Sequence, residues 1–479
     1  MVRMKKRVKR WLMAASLCLT AACLSGCGEK ATYDGFTIPV QAASSLTAVS
    51  NTNVENPRVY EDAGSKDQEL GSYSSKNGAC KIRKMEHYYD VTLDYENFSA
   101  KEIGKAYAET VLEAFPGFHE IIEPYVYENI YSAFPALVDD FEPVWDRVSA
   151  LLETVQEDYR EEIVAYAEEL SGGARGFAED GRISYEEAIT FNFIPEALRG
   201  TACSALSLWG EKTANGDRIT MRLLDWNLGS ENQMCTVHAV IHVKKGERSF
   251  TGISFLGFEN LISAINNDGV FAAILDVGSS GEVYVSEGRR CYTYDLRYAL
   301  EEYKTAKEVG EFMVANSAKY TWSHNLILSD ADHSYCAEDA VLQLQESGKG
   351  HSVLRDEKTP LLKNLKWENP DSLCVVNSFT TEGNQDGFWI NNNAVRFQKY
   401  NEWVAEKEKF TVGDLKTMIT QEKVNQGKVK GEAKVENVRN QGTSQIIIVD
   451  YHTGNVQVSF TSPEGPSDDV IFTDVGSYN

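Results

Sequence analysis

The hydrophobic pattern of the chain changes near residue 200, and this change limits most strongly the folds that it can form. From about 97 to 198, apolar residues recur every three or four positions, which is typical of amphipathic helices. After Cys203, short β-branched or aromatic runs are bounded by Gly, Asn and Asp, which is typical of strands. Helical spacing returns between these strands in four stretches, near 260–266, 293–316, 394–407 and 412–421. Strands alternating with helices predict an α+β layered domain, preceded by a helical segment.

One helical stretch, "DGRISYEEAITFNF", has some features of a calcium-binding loop. Its first ligand position would fall on Gly176, which has no carboxylate to offer a calcium ion. Ser184 and Glu187 are instead spaced as a capping box that begins a helix, as are Ser99 and Glu102 near the start of the helical segment. We therefore expect helix starts and no calcium site.

The N-terminus has the order of parts found in an export signal. A basic stretch, "MVRMKKRVKR", precedes an apolar run, "WLMAASLCLTAACL", which is too short to cross a bilayer. "LSGC" then resembles a bacterial lipobox, in which Cys27 is lipidated and becomes the first residue. We expect an exported protein tethered to the extracytoplasmic face of the cell membrane by a lipid on Cys27; the alternative is an ordinary secretory signal. Residues 28 to about 80 are rich in Ser, Ala, Thr, Asn and Gly and read as a flexible tether.

Charge and cysteine content exclude several functions. The net charge is −24, and such an acidic surface repels nucleic acid and anionic lipid. Six cysteines remain beyond the lipobox, scattered without CxxC spacing, so disulfides and free thiols are both open, and no zinc site is indicated. His238 and His242 alternate with apolar residues in a predicted strand. They would lie about 13 Å apart at ~3.3 Å per residue, too far to share one metal. We expect no metal and no cofactor.

Cys203, in "GTACSALSLWG", is a candidate nucleophile without a histidine nearby in sequence. A nucleophilic cysteine needs a base or a cation to form its thiolate. If the chain is cut just before the cysteine, the freed α-amine, with a pKa near 8, becomes that base. Such a site also needs a carboxylate for the amine, a cation beside the thiol, and an oxyanion hole.

Several motifs occur in the order seen in the cysteine-type N-terminal nucleophile (Ntn) hydrolases. They are "ACS" at Cys203, "RLLDW" with Arg222 and Asp225, "INNDGVFAAILD" ending at Asp276, "VVNSF" with Asn377, and "NNNAVRFQKY" with Arg396. Across residues 160 to 460 the chain resembles choloylglycine hydrolases, penicillin V acylases, acid ceramidases and the acyl-coenzyme A:6-aminopenicillanic acid acyltransferases of peptidase family C45. The resemblance implies a four-layer αββα sandwich.

The resemblance also implies a role for each residue of the set. Cys203 would be the nucleophile after self-cleavage of the Ala202–Cys203 bond, with Asp225 orienting the α-amine. Arg222 would favour the thiolate, Asn377 would donate to the oxyanion, and Arg396 would organise the carboxylates. Asp276 stands where the choloylglycine branch has asparagine, so it would position either Arg222 or the amine. Leu223 stands where the family usually has asparagine, and Ala202 stands where the acyltransferase branch often has glycine.

The expected domains are a lipoprotein signal peptide (1–26), a tether (27–85), a helical pro-segment or light chain (86–202) and the catalytic domain (203–479). The expected function is hydrolysis of linear amide C–N bonds in a small N-acyl substrate, with possible acyl transfer. One alternative is a non-catalytic ligand-binding lipoprotein of this fold. The other is a cell-wall peptide amidase that pairs Cys203 with a distant histidine, for which His324 is the first candidate.

Overall fold

The structure is a computed structural model, and it describes most of the chain. The described residues are 30–33, 36–39, 61–62, 67–137, 140–198, 202–277, 284–363, 365–384, 391–421, 438–467 and 470–478. The predicted signal peptide and Cys27 lie outside them. Among the described residues, no helix combines the length and the apolar character needed to cross a membrane.

Ten helices are described in three groups. The first group precedes Cys203: α1 (Ala100–Ala114), α2 (Phe118–Ala133), α3 (Glu142–Leu152), α4 (Glu157–Ser171) and α5 (Tyr185–Asn192). The second is α6 (Tyr292–Glu302), α7 (Ala306–Asn316) and the short α8 (Leu342–Glu346). The third is α9 (Asn391–Glu406) and α10 (Val412–Gln421). Both predicted capping boxes, at the starts of α1 and α5, are confirmed.

The strands form a hairpin and two large sheets. The hairpin is β1 (Lys30–Tyr33) with β2 (Phe36–Pro39). The ten-stranded sheet contains β4 (Glu69–Ser74), β5 (Cys80–Met85), β6 (Tyr89–Asp94), β9 (His238–Lys244), β10 (Phe250–Phe255), β11 (Ser263–Asn266), β12 (Phe271–Asp276), β13 (His324–Ser329), β14 (Ser334–Asp339) and β15 (Val353–Arg355). The seven-stranded sheet contains β3 (Glu61–Asp62), β7 (Ala202–Leu208), β8 (Ile219–Asp225), β16 (Ser372–Val376), β17 (Thr443–Asp450), β18 (Asn455–Phe460) and β19 (Ile471–Ser477).

Both sheets are antiparallel between neighbours, with two exceptions. The ten-stranded order is β15-β14-β13-β12-β11-β10-β9-β6-β5-β4, and only β6 with β9 is parallel. The seven-stranded order is β16-β7-β8-β17-β18-β19-β3, and only β19 with β3 is parallel. Strands β7 and β8 are therefore adjacent interior strands, so the candidate nucleophile does not lie on an edge strand.

The two sheets face each other and helices cover their outer faces. Between the sheets, Ser207 Oγ lies 2.7 Å from Ser334 Oγ, and Thr220 Oγ1 lies 3.0 Å from Ser329 Oγ. Helices α1, α6 and α7 pack on the ten-stranded sheet. Helices α9 and α10 cover the seven-stranded sheet through a second apolar cluster that includes Tyr400. The predicted four-layer αββα sandwich is confirmed.

The helical segment before Cys203 is packed on this sandwich. Helix α1 crosses α4 so closely that a Cβ on Gly104 would lie 2.0 Å from the Glu162 carbonyl oxygen, so only glycine fits there. Helix α4 in turn contacts α6 through a buried ion pair, Glu162 with Arg297, at 2.8 Å. Tyr125 on α2 accepts a hydrogen bond of 2.7 Å from the Trp226 indole, just after β8.

Three expectations need correction or completion. The tether predicted for 27–85 is wrong at its C-terminal end, because β4 and β5 lie in the ten-stranded sheet and β6 pairs with β9. The helix predicted near 260–266 is wrong, because Ser263–Asn266 is a strand between β10 and β12. The six cysteines whose state was left open are all free thiols, and all are buried.

Candidate active site

Cys203 lies near the start of β7, between β8 and β16, and its side chain is fully buried. Its main-chain groups are fixed by two residues that lie far along the chain. The Cys203 N–H donates to Asn377 Oδ1, and Arg396 Nη1 donates to the Cys203 carbonyl oxygen at 2.6 Å. In the uncut chain, therefore, the peptide group on each side of the Cys203 Cα is anchored.

Arg222 lies on β8 and directs its guanidinium at the sulfur. Its Nη2 is 3.1 Å from Cys203 Sγ and also donates to the Ile274 carbonyl oxygen at 3.0 Å. Burial raises the pKa of the Cys203 thiol to about 11, and the Arg222 cation opposes this rise. In the uncut chain the thiol is therefore protonated near neutral pH, and Arg222 is the group that favours its ionisation.

Asp225 ends β8 directly across from Ala202 in the strand register. The Asp225 main chain therefore lies opposite the peptide that precedes the nucleophile, and Arg396 Nη1 links the Asp225 carboxylate to the Cys203 carbonyl oxygen. Its Oδ2 accepts from Arg396 Nη1 at 3.2 Å and from Asn440 Nδ2 at 2.6 Å, and its Oδ1 accepts from Thr443 Oγ1 at 2.7 Å. Burial raises the pKa of Asp225, and Arg396 opposes that rise.

Asn377 follows β16, and its amide orientation is fixed by its neighbours. Oδ1 receives two donors, the Cys203 N–H and Arg396 Nη2, the latter at 3.0 Å. Nδ2 donates to the Asp276 carbonyl oxygen at 2.7 Å. An oxyanion role for Asn377 stays a prediction, since in the uncut chain this amide links Cys203 to the end of β12.

The main-chain carbonyl oxygen of Asp276 contacts Asn377, while its carboxyl group lies beside Tyr292. The Tyr292 hydroxyl is 3.2 Å from Asp276 Oδ1 and 2.9 Å from the Pro195 carbonyl oxygen. One phenolic proton can serve only one of these acceptors at a time. The structure thus connects Asp276 to the segment that leads toward the Ala202–Cys203 bond.

Sequence reasoning missed three residues of the site. Asn440 and Thr443 bind the Asp225 carboxylate, and Asn393 accepts from Arg396 Nη2 at 2.6 Å while donating to the Asn377 carbonyl oxygen at 2.9 Å. Asn393 stands in the "NNNAVRF" motif, three residues before Arg396, which is a one-turn spacing on a helix. For Asn440 and Thr443 no signal existed, since only the pairing of β17 with β8 brings them to Asp225.

The histidines lie in other surroundings. His324 Nε2 is 3.2 Å from Asp339 Oδ2, and the His324 ring stacks on Tyr292 at 4.3 Å between centroids. No hydrogen bond joins His324 to Cys203 in the described part of the chain. His238 contacts the Thr461 carbonyl oxygen at 3.0 Å, and His242 contacts Thr251 Oγ1 at 3.0 Å. These two β9 histidines therefore bind different partners.

Comparisons with known proteins give partial matches. No protein-family model matches the sequence. The Dictyostelium discoideum protein dcd1B is 27% identical over 176 residues, which cover 35% of this chain and 33% of that protein. The match thus spans about a third of the relative's length.

Three solved structures resemble the fold at low identity. A Caenorhabditis elegans ortholog of N-acylethanolamine-hydrolyzing acid amidase is 13% identical, with a TM-score of 0.34, over 55% of this chain and 94% of its own. A mutant conjugated bile acid hydrolase from Clostridium perfringens is 13% identical, with a TM-score of 0.36, over 57% and 92%. Penicillin V acylase from Agrobacterium tumefaciens is 15% identical, with a TM-score of 0.33, over 57% and 86%. At these scores the likenesses carry no functional argument, so the function is argued from the site.

Proposed function

We propose that this protein is a hydrolase of linear amides that uses Cys203 as an N-terminal nucleophile after the Ala202–Cys203 bond is cut. One observation carries the proposal: the Arg222 guanidinium lies 3.1 Å from Cys203 Sγ, in a buried site where Asp225, Asn377 and Arg396 also meet. Cys203 lies on β7, Arg222 and Asp225 lie on β8, Asn377 directly follows β16, and Arg396 lies on α9. Thiolate is the nucleophilic form of cysteine, and a cation aimed at the sulfur favours that form over the protonated thiol.

The cut that frees the nucleophile follows from the same groups. The Cys203 sulfur attacks the Ala202 carbonyl carbon, the C–N bond to Cys203 breaks, and the nitrogen takes up a proton to become a free α-amine. Water then hydrolyses the resulting thioester, which leaves a carboxylate on Ala202 and restores the thiol. Asp225, across from Ala202, would then bind the new amine.

Amide turnover would repeat this chemistry on an external substrate. The α-amine takes the thiol proton, and the thiolate attacks the substrate carbonyl carbon. The substrate C–N bond then breaks, the α-ammonium group gives its proton to the substrate nitrogen, and the substrate's amine leaves. Water activated by the α-amine then releases the acid from the acyl-thioester. An N-acyl compound without nucleic acid or anionic lipid character suits the net charge of −24.

Turnover can be tested with fluorogenic N-acyl amides of different acyl chains. We expect the purified protein to release the amine from at least one of them, and Cys203→Ala to release none. The matched control is Cys235→Ala, another buried free thiol, on the segment before β9. Equal turnover by wild type and Cys203→Ala would contradict the proposal, and so would loss of turnover in Cys235→Ala alone.

We further propose that the protein is carried on the extracytoplasmic face of the membrane by a lipid on Cys27. The motif "LSGC" after a basic and an apolar stretch supports this proposal. Cells grown with a labelled fatty acid should incorporate label into wild type and not into Cys27→Ala. Label retained by Cys27→Ala would refute the lipid site.

A further inference from the structure

The last helical turn before the scissile bond is an uncommon one. Residues Ile194–Leu198 form a single π-helical turn, and the sequence places only residues 199–201 between it and Ala202. Such turns are rare and occur frequently at functional sites. All five of its residues are buried.

Three consecutive residues of this turn are each fixed by a different partner. The Pro195 carbonyl oxygen accepts from the Tyr292 hydroxyl at 2.9 Å, and the Ala197 carbonyl oxygen accepts from Arg147 Nη1 at 3.2 Å. Between them, Glu196 Oε1 accepts from the Thr293 main-chain N–H at 3.0 Å and from the Thr293 hydroxyl. Because three adjacent residues are hydrogen-bonded to different partners, the backbone of this turn is held in one conformation.

Glu196 is a costly residue for that position. Its carboxyl group is fully buried, and its Oε2 has no hydrogen-bond partner among the described residues. Burial raises its pKa to about 7; two hydrogen bonds from Thr293 oppose the rise, and the nearby charge that acts on it is Asp276, another acid. Among the described residues no ion pair joins Glu196 to a cation, so burying this acid costs stability and a positional role is the better explanation.

Thr293, the partner of Glu196, lies next to a residue that contacts the candidate active site. Thr293 lies in the first turn of the eleven-residue α6, where main-chain N–H groups lack helical acceptors. Tyr292, its neighbour, also contacts Asp276, whose carbonyl oxygen accepts from Asn377. A chain of contacts therefore leads from the turn to the residue that anchors the Cys203 N–H.

We propose that Glu196, fixed by Thr293, is a positioning residue that sets the Ala202–Cys203 peptide against the Cys203 thiol for self-cleavage. This inference rests on the proposed function. Glu196 contacts no reacting atom in the structure, so it acts through the turn that it fixes. Its effect should fall on the cut and leave the turnover of chains already cut unchanged.

The test compares cutting rates of full-length variants by mass spectrometry. Glu196→Leu should slow the appearance of the fragment that starts at Cys203 by at least about tenfold, because misplacement of a reacting group costs rate steeply. Glu196→Gln keeps an oxygen that can accept both Thr293 hydrogen bonds and should cut within about twofold of wild type. Glu161→Leu, an exposed position on α4, is the matched control and should cut like wild type.

A second readout separates positioning from loss of structure. Labelling of Cys203 by an electrophile, counted per cut chain, and the melting temperature should both be unchanged in Glu196→Leu. If Glu196→Leu fails to fold, Thr293→Val provides the test instead. This variant removes only the hydroxyl that donates to Glu196, and it should still slow the cut. A folded Thr293→Val or Glu196→Leu that cuts at the wild-type rate overturns the inference and leaves the proposed function intact. A wild type that neither cuts nor labels at Cys203 overturns both.

Discussion

Replacing Arg396 by methionine is expected to lower the free energy of unfolding by about 3–5 kcal/mol, because it leaves a buried carboxylate without its cation. Arg396 is fully buried, its Nη1 is 3.2 Å from Asp225 Oδ2, and that aspartate is also buried. The same guanidinium donates to the Cys203 carbonyl oxygen and to Asn377 Oδ1. Methionine has a similar length and restores none of these bonds. Urea unfolding followed by tryptophan fluorescence would measure the loss.

Two further variants show whether the charge is the cause. The double variant Arg396→Met with Asp225→Asn should recover about 0.5–3 kcal/mol, since an asparagine is not left charged. Arg248→Met, which breaks an exposed ion pair with Glu302 of 2.7 Å, should change stability by less than about 1 kcal/mol. Arg396→Met as stable as wild type would show that the buried network is wrongly assigned.

Replacing Arg222 by methionine should slow self-cleavage by about ten- to a thousandfold at neutral pH. An opposite charge within 4–6 Å shifts a pKa by about 1–3 units, and the Arg222 cation lies 3.1 Å from the Cys203 sulfur. Without the cation the thiol pKa rises further above about 11, so the thiolate fraction falls at any pH below it. The rate of appearance of the Cys203 fragment, followed from pH 6 to 10, measures the effect.

The dependence of the self-cleavage rate on pH shows the direction in which Arg222 shifts the thiol pKa. Because thiolate is the attacking species, the rate should rise with pH in both proteins, and the Arg222→Met curve should lie at higher pH. Arg218→Met is the matched control, because Arg218 is also buried but donates to Ser334 Oγ at 2.7 Å and not to Cys203. Arg218→Met should cut with the same pH dependence as wild type. Overlapping curves for wild type and Arg222→Met would remove Arg222 from the reaction.

The strands after Cys203 could be predicted because their apolar runs are short and bounded by turn residues. The helix expected near 260–266 failed for a physical reason. "LISAIN" has apolar residues at three- and four-residue spacing, yet the strand at Ser263–Asn266 is buried on both faces between β10 and β12. A short apolar run that is buried all round has the same composition as a helix segment.

The strands before the helical segment were missed because they look like a tether. In "ELGSYS" the residues from Leu70 onward alternate between exposed and half-buried, as expected for β4 at the edge of the ten-stranded sheet. Polar, glycine-containing sequence is compatible with an edge strand and with a linker. Only the parallel pairing of β6 with β9 shows that this region belongs to the sheet.

The candidate site was accessible from sequence where a motif marked a residue, and inaccessible where only register did. Arg222 and Asp225 could be named from "RLLDW", and Asn377 from "VVNSF". That Asp225 lies opposite Ala202 depends on the pairing of β7 with β8, which local sequence does not encode. Thr443 reaches Asp225 through a second pairing, of β17 with β8.

The central claim, that Cys203 becomes the N-terminus of the mature enzyme, is tested most directly by intact mass and N-terminal sequencing. Wild type and Cys203→Ala would be purified without the lipid signal and compared. The claim predicts two fragments in wild type, one starting at Cys203, and one uncut chain in Cys203→Ala. A single uncut chain in both proteins, or the same fragments in both, would contradict self-cleavage by Cys203.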